Sequence, residues 1–413
     1  MKRRLTTLLI SLLCATLSTL ANDGSYYASG NILFPLQETS ISVRSEILTI
    51  TICDDGYASI DVQYTFYNDG PAKTIDMAFE SPLPYNTEDS FSYVGKHPYI
   101  RNFTATLNGK PMSCRSSVVA GYDDTDISNY KTYDRQKWTE SEEFCYGDNY
   151  IINGNDSVYV TAYAYLFHAN FKQGLNTVHH TYKYLASGGF SANFEIPYIL
   201  QPCTRWANHQ VDDFTLRIAT PSTSKYFYLK DDVLRQTPFK VISGMGKVRA
   251  GNLPSTKYEE AEETEETEET EETHYQEITL RNGVVECHIN NFQPETSLHI
   301  ISADHLMMQL NNDNPVKDMS TYYNRGWMLL PMAGVSYKEF YGKEPANKAE
   351  AEALDRRILR NMPYADRGYV FNDNRLRKYF ESLWWYMPDP TWKISTTGFT
   401  ETDWQFINEY GKK

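Results

Sequence analysis

The sequence predicts a mainly β protein, with one or two antiparallel β-sandwich domains followed by a small α-helical C-terminal domain. Three observations carry that expectation. From Ile41 to about Ser302 apolar and polar residues alternate with a period of two. Turn-forming residues break this pattern at short intervals, and long helical patterns are missing from it. After Asp313 the apolar period becomes that of a helix.

The chain opens with MKRRLTTLLISLLCATLSTLA. Lys2, Arg3 and Arg4 precede an apolar run, and Thr19 and Ala21 are small residues where a signal peptidase reads, so 1–21 is expected to be a signal peptide. The run is shorter than the about 20 apolar residues of a membrane span, and no later segment reads as one. Cys14 is preceded by Leu13, where a lipidated cysteine would want a small residue. The expected compartment is therefore the periplasm or the extracellular space.

In YASIDVQYTFYN, Ala58, Ile60, Val62, Tyr64 and Phe66 fall on one face of a strand, with Ser59, Asp61, Gln63 and Thr65 on the other. Ile75, Met77 and Phe79 repeat the pattern, as do Phe103, Ala105 and Leu107, and Phe214, Leu216 and Ile218. ITLRNGVVECHI reads as a hairpin, because Asn282-Gly283 readily takes positive φ angles. Two sandwiches are expected, over 22–187 and 188–312, dividing near Ser187 to Gly189. The Tyr-rich stretch from Arg115 to Asp156 reads as a long insertion, either a binding loop or one packed down by its own aromatics. The Glu-rich segment 259–273 has nothing apolar to bury and reads as a disordered loop.

A connector over 313–350 leads to the helical domain, 351–413. KAEAEALDRRILRNM is rich in helix formers, with Leu354, Ile358 and Leu359 along one side. Asn372 or Asp373 can cap a second helix, whose Leu376, Tyr379, Phe380 and Leu383 form a buried stripe. Thr400 and Asp403 announce a third helix, carrying Trp404 and Ile407 and stopping at Gly411.

The net charge is −14; without the three leader cations it is −17, and ten of those negative charges are glutamates of 259–272, which leaves −7 for the rest. An acidic surface argues against nucleic acid as a partner. Beyond the leader lie Cys53, Cys114, Cys145, Cys203 and Cys287, an odd number. Cys114 and Cys145 bracket the polar insertion and are the disulfide candidates. Cys287 reads as a buried free thiol. Cys-x-x-Cys, His-Glu-x-x-His, the P-loop, the dinucleotide glycine pattern and the Gly-x-Ser-x-Gly elbow do not occur, and no metal or cofactor is expected. His179-His180 would point to opposite faces of a strand, although His168 could join one of them across a ladder.

LRNMPYADRGYVF, followed by LRKYFES and WYMP, resembles the YARHG domain, a small helical module at the C terminus of exported bacterial proteins. The resemblance covers roughly Ala351 to Tyr410. NDGSYYASGNILFPLQETSISVRSEILTI, with VQYTFYNDG, is similar to the start of a bacterial secreted domain of unknown function, and implies that such a domain covers about 22–310. The chain departs from the family where the name is spelled, with Tyr364, Ala365, Asp366, Arg367 and Gly368 in those five places and Pro363 before them. Arginine stays protonated, so proton chemistry by the family histidine is closed to this chain. Two readings of the stretch stay open. In one it is a structural corner that Gly368 closes in a left-handed conformation, Tyr364, Tyr369 and Phe371 packing on Trp385 and Tyr386. In the other an exposed aromatic edge binds a ligand through Tyr364, Arg367, Tyr369, Trp384, Trp385 and Tyr386.

These features name no specific activity. They favour a non-enzymatic envelope or extracellular protein that binds or scaffolds a cell-wall glycan or an envelope protein, the 32 tyrosines permitting sugar rings to stack. The alternative is a cell-wall-directed hydrolase with a site assembled from separate strands, using His168, His179 or Cys203.

Overall fold

A computed structural model describes residues 33–35, 39–82, 100–121, 131–134, 139–140, 150–153, 156–189, 192–221, 224–230, 232–253, 273–303, 337–395, 397, 399 and 401–411. The expected signal peptide, the glutamates of 259–272, most of the Tyr-rich insertion, Cys145, Thr400 and 313–336 of the connector lie outside them.

In chain order the first strands are β1 (Leu33–Pro35), β2 (Ile41–Ile52), β3 (Tyr57–Asn68), β4 (Lys73–Pro82), β5 (Ile100–Leu107), β6 (Lys110–Pro111), β7 (Cys114–Gly121), β8 (Lys131–Asp134), β9 (Thr139–Glu140) and β10 (Tyr150–Asn153). Next come β11 (Asp156–Phe171), β12 (Gly174–Leu185), β13 (Ser187–Gly189), β14 (Ala192–Tyr198), β15 (Val211–Ala219), β16 (Ser224–Lys230), β17 (Lys240–Leu253), β18 (Thr273–Phe292) and β19 (Leu298–Ser302). A turn of 3-10 helix, Gln201–Arg205, links β14 to β15. The described helices are α1 (Tyr337–Tyr341), α2 (Lys348–Asp366), α3 (Asn374–Ser382) and α4 (Glu401–Gly411). The protein is mainly β with a small helical C-terminal region, as expected.

Among the described residues the strands form two sheets. The smaller runs β1-β4-β11-β10-β9, with β7 also paired to β11 and β8 paired to β7. The larger runs β13-β14-β19-β16-β18-β15-β2-β3-β12-β5-β6, with β17 alongside β18. The described ladders are antiparallel except for that of β2 with β15, which is parallel. The expected division near Ser187 to Gly189 falls at β13, yet strands from both sides of it share the larger sheet and one continuous apolar cluster.

Period-two alternation places the core. Ala58, Ile60, Val62, Tyr64 and Phe66 all face inward and are buried. Phe79, Tyr165, Phe167 and Phe171 of the smaller sheet meet them from the other side. The rings of Phe79 and Tyr182 lie 4.9 Å apart, and those of Phe66 and Phe171 5.6 Å apart in an edge arrangement. Trp206, wholly buried, closes this layer on Phe66 at 4.4 Å. Truncating Phe66 or Trp206 to alanine would cost about 3–5 kcal/mol.

Asn282-Gly283 is no hairpin turn. β18 runs straight through it, because different neighbours take up its two halves: β16 pairs with Tyr275 to Arg281, and β15 with Val284 to Phe292. The positive φ of Asn282, 44°, makes a bulge instead. Pro221 O accepts from Asn282 N at 2.7 Å, and Gly283 O from Thr220 N at 3.0 Å, so the connection between β15 and β16 ties into the bulge.

Candidate functional site

The Asp366–Gly368 corner and the Trp384–Met387 stretch of the tail meet at the joint between the helices and the outer face of β17 and β18. α2 and α3 are bounded by local signals. Asn347 caps α2 by accepting from Glu350 N at 3.0 Å, and Glu350 reaches back to Ala346 N at 2.6 Å. Asp373 caps α3, accepting from Arg375 N at 2.8 Å and Leu376 N at 3.4 Å, and Leu376, Tyr379 and Phe380 are buried as their spacing predicts. α2 continues past Pro363 and stops in the left-handed turn expected of Gly368, whose φ is 84°. Gly368 N donates to Ala365 O at 2.8 Å and Tyr369 N to Tyr364 O at 2.9 Å, which satisfies two terminal carbonyls.

The sheet grips this corner. Arg281 of β18 donates from Nη1 to Asp366 O at 3.0 Å and from Nη2 to Met387 O at 2.8 Å. Ser224 Oγ donates to the same Asp366 oxygen at 2.5 Å. Thr279 Oγ1 donates to Trp385 O at 3.2 Å, and Lys247 Nζ to Trp384 O at 3.0 Å and Tyr386 O at 2.8 Å. The Tyr-Ala-Asp-Arg-Gly corner and the Trp-Trp-Tyr-Met-Pro stretch are thus held side by side, with Asp389 N donating to Gly368 O at 2.8 Å. Thr279 and Arg281 face away from the sandwich core yet are buried, because the tail covers them. Arg281, Lys247, Thr279 and Ser224 were not nominated from sequence. Their pattern is that of solvated residues on a half-buried strand, and only the docked tail changes its meaning.

Arg367 turns inward and bridges α2 to α4. It donates to Pro363 O at 3.0 Å and to Asp403 Oδ2 at 2.7 Å, and both side chains are buried. Desolvation pushes the Asp366 carboxyl up to about 7, against the pull of Arg367, Arg281 and Lys225, although part of the residue's surface still reaches solvent. Trp385 and Tyr386 are buried in the tail's own core, and Tyr386 Oη donates to Tyr369 O at 2.7 Å. Trp384 is half-buried on the β17 side, with the guanidinium of Arg249 4.5 Å from its ring centre.

Tyr364 and Tyr369 belong to a strip of partly exposed rings across the tail. Ring centres are 6.0 Å apart for Trp392 and Tyr369, 6.4 Å for Tyr369 and Tyr364, 5.3 Å for Tyr364 and Phe399, and 5.6 Å for Phe399 and Trp404. Trp404 is the most open ring, 39 % exposed. Arg367 sits 4.2 Å over Phe399 and stiffens the middle of the strip.

A second polar cluster lies deep between the sheets. Glu46 and Tyr64 are cross-strand partners, and Tyr182, Tyr198, His180 and Cys203 share the same buried interior. The polar side-chain atoms of Glu46, Tyr64, Tyr182, Tyr198 and His180 have no partner of full hydrogen-bond geometry, although Tyr64 lies close enough to Glu46 to favour its ionised form slightly. Burial dominates. It raises the Glu46 carboxyl to about 8, lowers the His180 imidazole to about 3 and pushes the Cys203 thiol well up. The cluster is therefore uncharged near neutral pH.

The other candidates are spread out. His168, on the outer face of the smaller sheet, pairs with Asp76 at 2.5 Å; His179, on the larger sheet, pairs with Asp61 at 3.1 Å. His180 points the opposite way from His179, as neighbours on a strand do, and the ladder contact imagined for His168 does not form because the strands belong to different sheets. Cys287 is buried, and its thiol donates to Thr237 O at 3.6 Å. Cys114 is exposed at the start of β7, and its pairing with Cys145 stands as a proposal for non-reducing peptide mapping to test.

Fold and joint together define a two-part molecule, a β body carrying a clasped helical module. Residues 336–411 are a YARHG domain, and residues 21–149 are a domain of unknown function, DUF4424. The first begins earlier than the resemblance suggested and takes in α1; the second ends well short of 310. No curated protein sequence matches the chain. Among solved structures it is similar to a protein of Legionella pneumophila named for nutrient binding, at 17 % identity over 92 % of this chain and 98 % of that one, with a TM-score of 0.44. It is also similar to an M1 zinc metallopeptidase of Deinococcus radiodurans, at 12 % identity over 65 % of this chain and 43 % of that one, TM-score 0.23. A third similar structure is a protein of Parabacteroides distasonis named as a protease, at 12 % identity over 79 % and 51 %, TM-score 0.23. Among the described residues no helix is long and apolar enough to cross a membrane.

Proposed function

We propose that this protein is an exported, non-enzymatic binding protein of the bacterial cell envelope, whose β body holds the YARHG tail in place so that its aromatic strip can take a wall glycan. The strip from Trp392 through Tyr369, Tyr364 and Phe399 to Trp404 is the observation that carries this reading. Sugar rings present an apolar face of C–H groups, and the rings of the strip, turned 53–73° from one to the next, offer successive aromatic faces and edges for such groups to pack on. Large rings supply contact area with few torsions to immobilise, which keeps the entropic cost of binding low. The clasp at Arg281 and the Arg367–Asp403 bridge support the same reading, since a rigid platform loses little freedom when it binds. The N-terminal leader read from the sequence supports export.

Sedimentation with purified peptidoglycan tests the proposal. The full chain is expected to pellet with the polymer, and Trp404→Ala and Tyr369→Ala, alone and together, to shift it progressively to the supernatant. A chain that stays wholly soluble beside the polymer, or pellets equally well without both rings, overturns the reading in favour of a protein partner.

A further inference from the structure

We propose that a cleft at one end of the larger sheet, far in sequence from the tail strip, takes a small zwitterion the size of a dipeptide with both ends free. The cleft has a volume of about 330 Å³ and is lined by Gln201, Lys230, Asp232, Glu295, Thr296, Ser297 and His299. That is the small end of the range for ligand sites, roughly 300–1,000 Å³. All of its lining residues are of polar types, and they carry both signs of charge.

The wall is built rather than accidental. Gln201 Nε2 donates to Glu295 O at 3.3 Å, Ser297 Oγ to Gln201 Oε1 at 3.4 Å, and Thr296 Oγ1 to Asp232 Oδ2 at 3.4 Å, stitching three chain segments around the opening. His299 Nδ1 donates to Glu195 Oε1 at 2.5 Å. That bond fixes the orientation of the imidazole ring at the cleft wall.

The charges remain to be accounted for. Among the described residues neither the Lys230 ammonium nor the Glu295 carboxylate has a side-chain partner, and they are not paired with each other although both line the cleft. A ligand bearing an ammonium and a carboxylate satisfies both. Its carboxylate would face Lys230, and its ammonium would face Asp232 and Glu295. Charge-assisted contacts of this kind are the strong ones. A ligand lacking either charge would leave one side of the wall uncompensated, which gives selectivity.

Calorimetric titration of the full chain with alanyl-alanine, acetyl-alanyl-alanine and alanyl-alaninamide tests this. Alanyl-alanine is expected to bind one to one, and each blocked form to bind at least about tenfold more weakly, the loss of one charge-assisted contact. Lys230→Ala should weaken alanyl-alanine by a similar factor, as should Asp232→Asn, whereas Trp404→Ala should leave it unchanged. Both altered cleft residues are exposed, and thermal melting checks that the variants fold. Failure of alanyl-alanine to bind at millimolar concentration overturns the proposal. So does equal binding of the blocked forms, or indifference to Lys230→Ala. Because the tail strip has its own assay, either site can fail without the other.

Discussion

The guanidinium of Arg281 occupies the space in which a Cβ at Gly368 would lie, with Nη1 and Nη2 each 2.5 Å from that position. A strand of the body and the corner of the tail therefore fit only because the corner lacks a side chain, and because the backbone there stands at φ 84°, where other residues are strained. Gly368→Ala is expected to cost about 1–3 kcal/mol in backbone strain alone and to loosen the tail further by pushing Arg281 aside. Arg281→Ala should cost about 2–4 kcal/mol, because two buried carbonyls lose a charged donor. In the double variant the clash disappears and the strain stays, so the two losses should fall short of additive. Urea denaturation of the four proteins measures this coupling, and proteolytic release of the tail reports it independently. Strict additivity would show that the contact is incidental.

The Arg367–Asp403 bridge makes the tail sensitive to single but less to paired changes. Asp403→Ala leaves a buried cation without its carboxylate, at an expected cost of about 3–5 kcal/mol. Replacing both residues by leucine removes the charge and the need for it, and should be less damaging than Asp403→Ala. The midpoint of chemical denaturation distinguishes the two; equal losses would mean that packing, not charge, holds α4.

The buried cluster between the sheets predicts how stability varies with pH. Glu46 binds its proton more tightly in the folded protein, at about 8 against 4.5, so its contribution is full below pH 4.5 and is lost as pH rises through 8. His180 is the opposite case. Its folded value is about 3 against 6.5, so its contribution is full above pH 6.5 and is lost as pH falls through 3. Between pH 4.5 and 6.5 the two slopes cancel, and the pair limits stability on both sides of that window. Each limb is worth about 1.4 kcal/mol per pH unit. Asp366 and Glu277, both raised to about 7 by desolvation, add to the alkaline trend, so the informative quantity is a difference between proteins. The stability of Glu46→Gln minus that of the native chain should grow through pH 4.5 to 8, by up to roughly 5 kcal/mol. A difference that stays constant with pH would place Glu46 in contact with solvent.

The bulge in β18 sets a limit on β17. A Cβ at Gly244, where φ is 70°, would stand 2.0 Å from Asn282 O. Gly244→Ala should therefore destabilise the body by about 2 kcal/mol or more, whereas the same change at Gly109, with φ 76° and nothing nearby, should cost only the strain of its turn. Thermal melts of the two variants make the comparison.

Period-two and helical patterning was legible in the sequence because burial acts locally. Phe66, Leu216, Leu376 and Phe380 point where their spacing says, since alternate residues of a strand and every third or fourth residue of a helix share a face. The cap at Asp373 and the turn at Gly368 are local as well, each made by residues within one turn of the helix they bound; the Asn347 cap is equally local but was not among the readings of the sequence. Asn282-Gly283 shows where that reasoning stops. The pair asks for a positive φ, and a turn and a bulge both supply one; which forms depends on β15, β16 and β17, distant strands that meet β18 along its length.

Composition and local period determined that strands come first and helices last, and that Gly368 closes a corner. Tertiary structure alone decided what the corner touches, because the residues that hold it arrive from 85 and 142 positions away and look like ordinary solvent-facing side chains until the tail lies over them. Local chemistry dictates conformation, but a hydrogen bond between distant segments exists only once burial elsewhere has brought its two ends together.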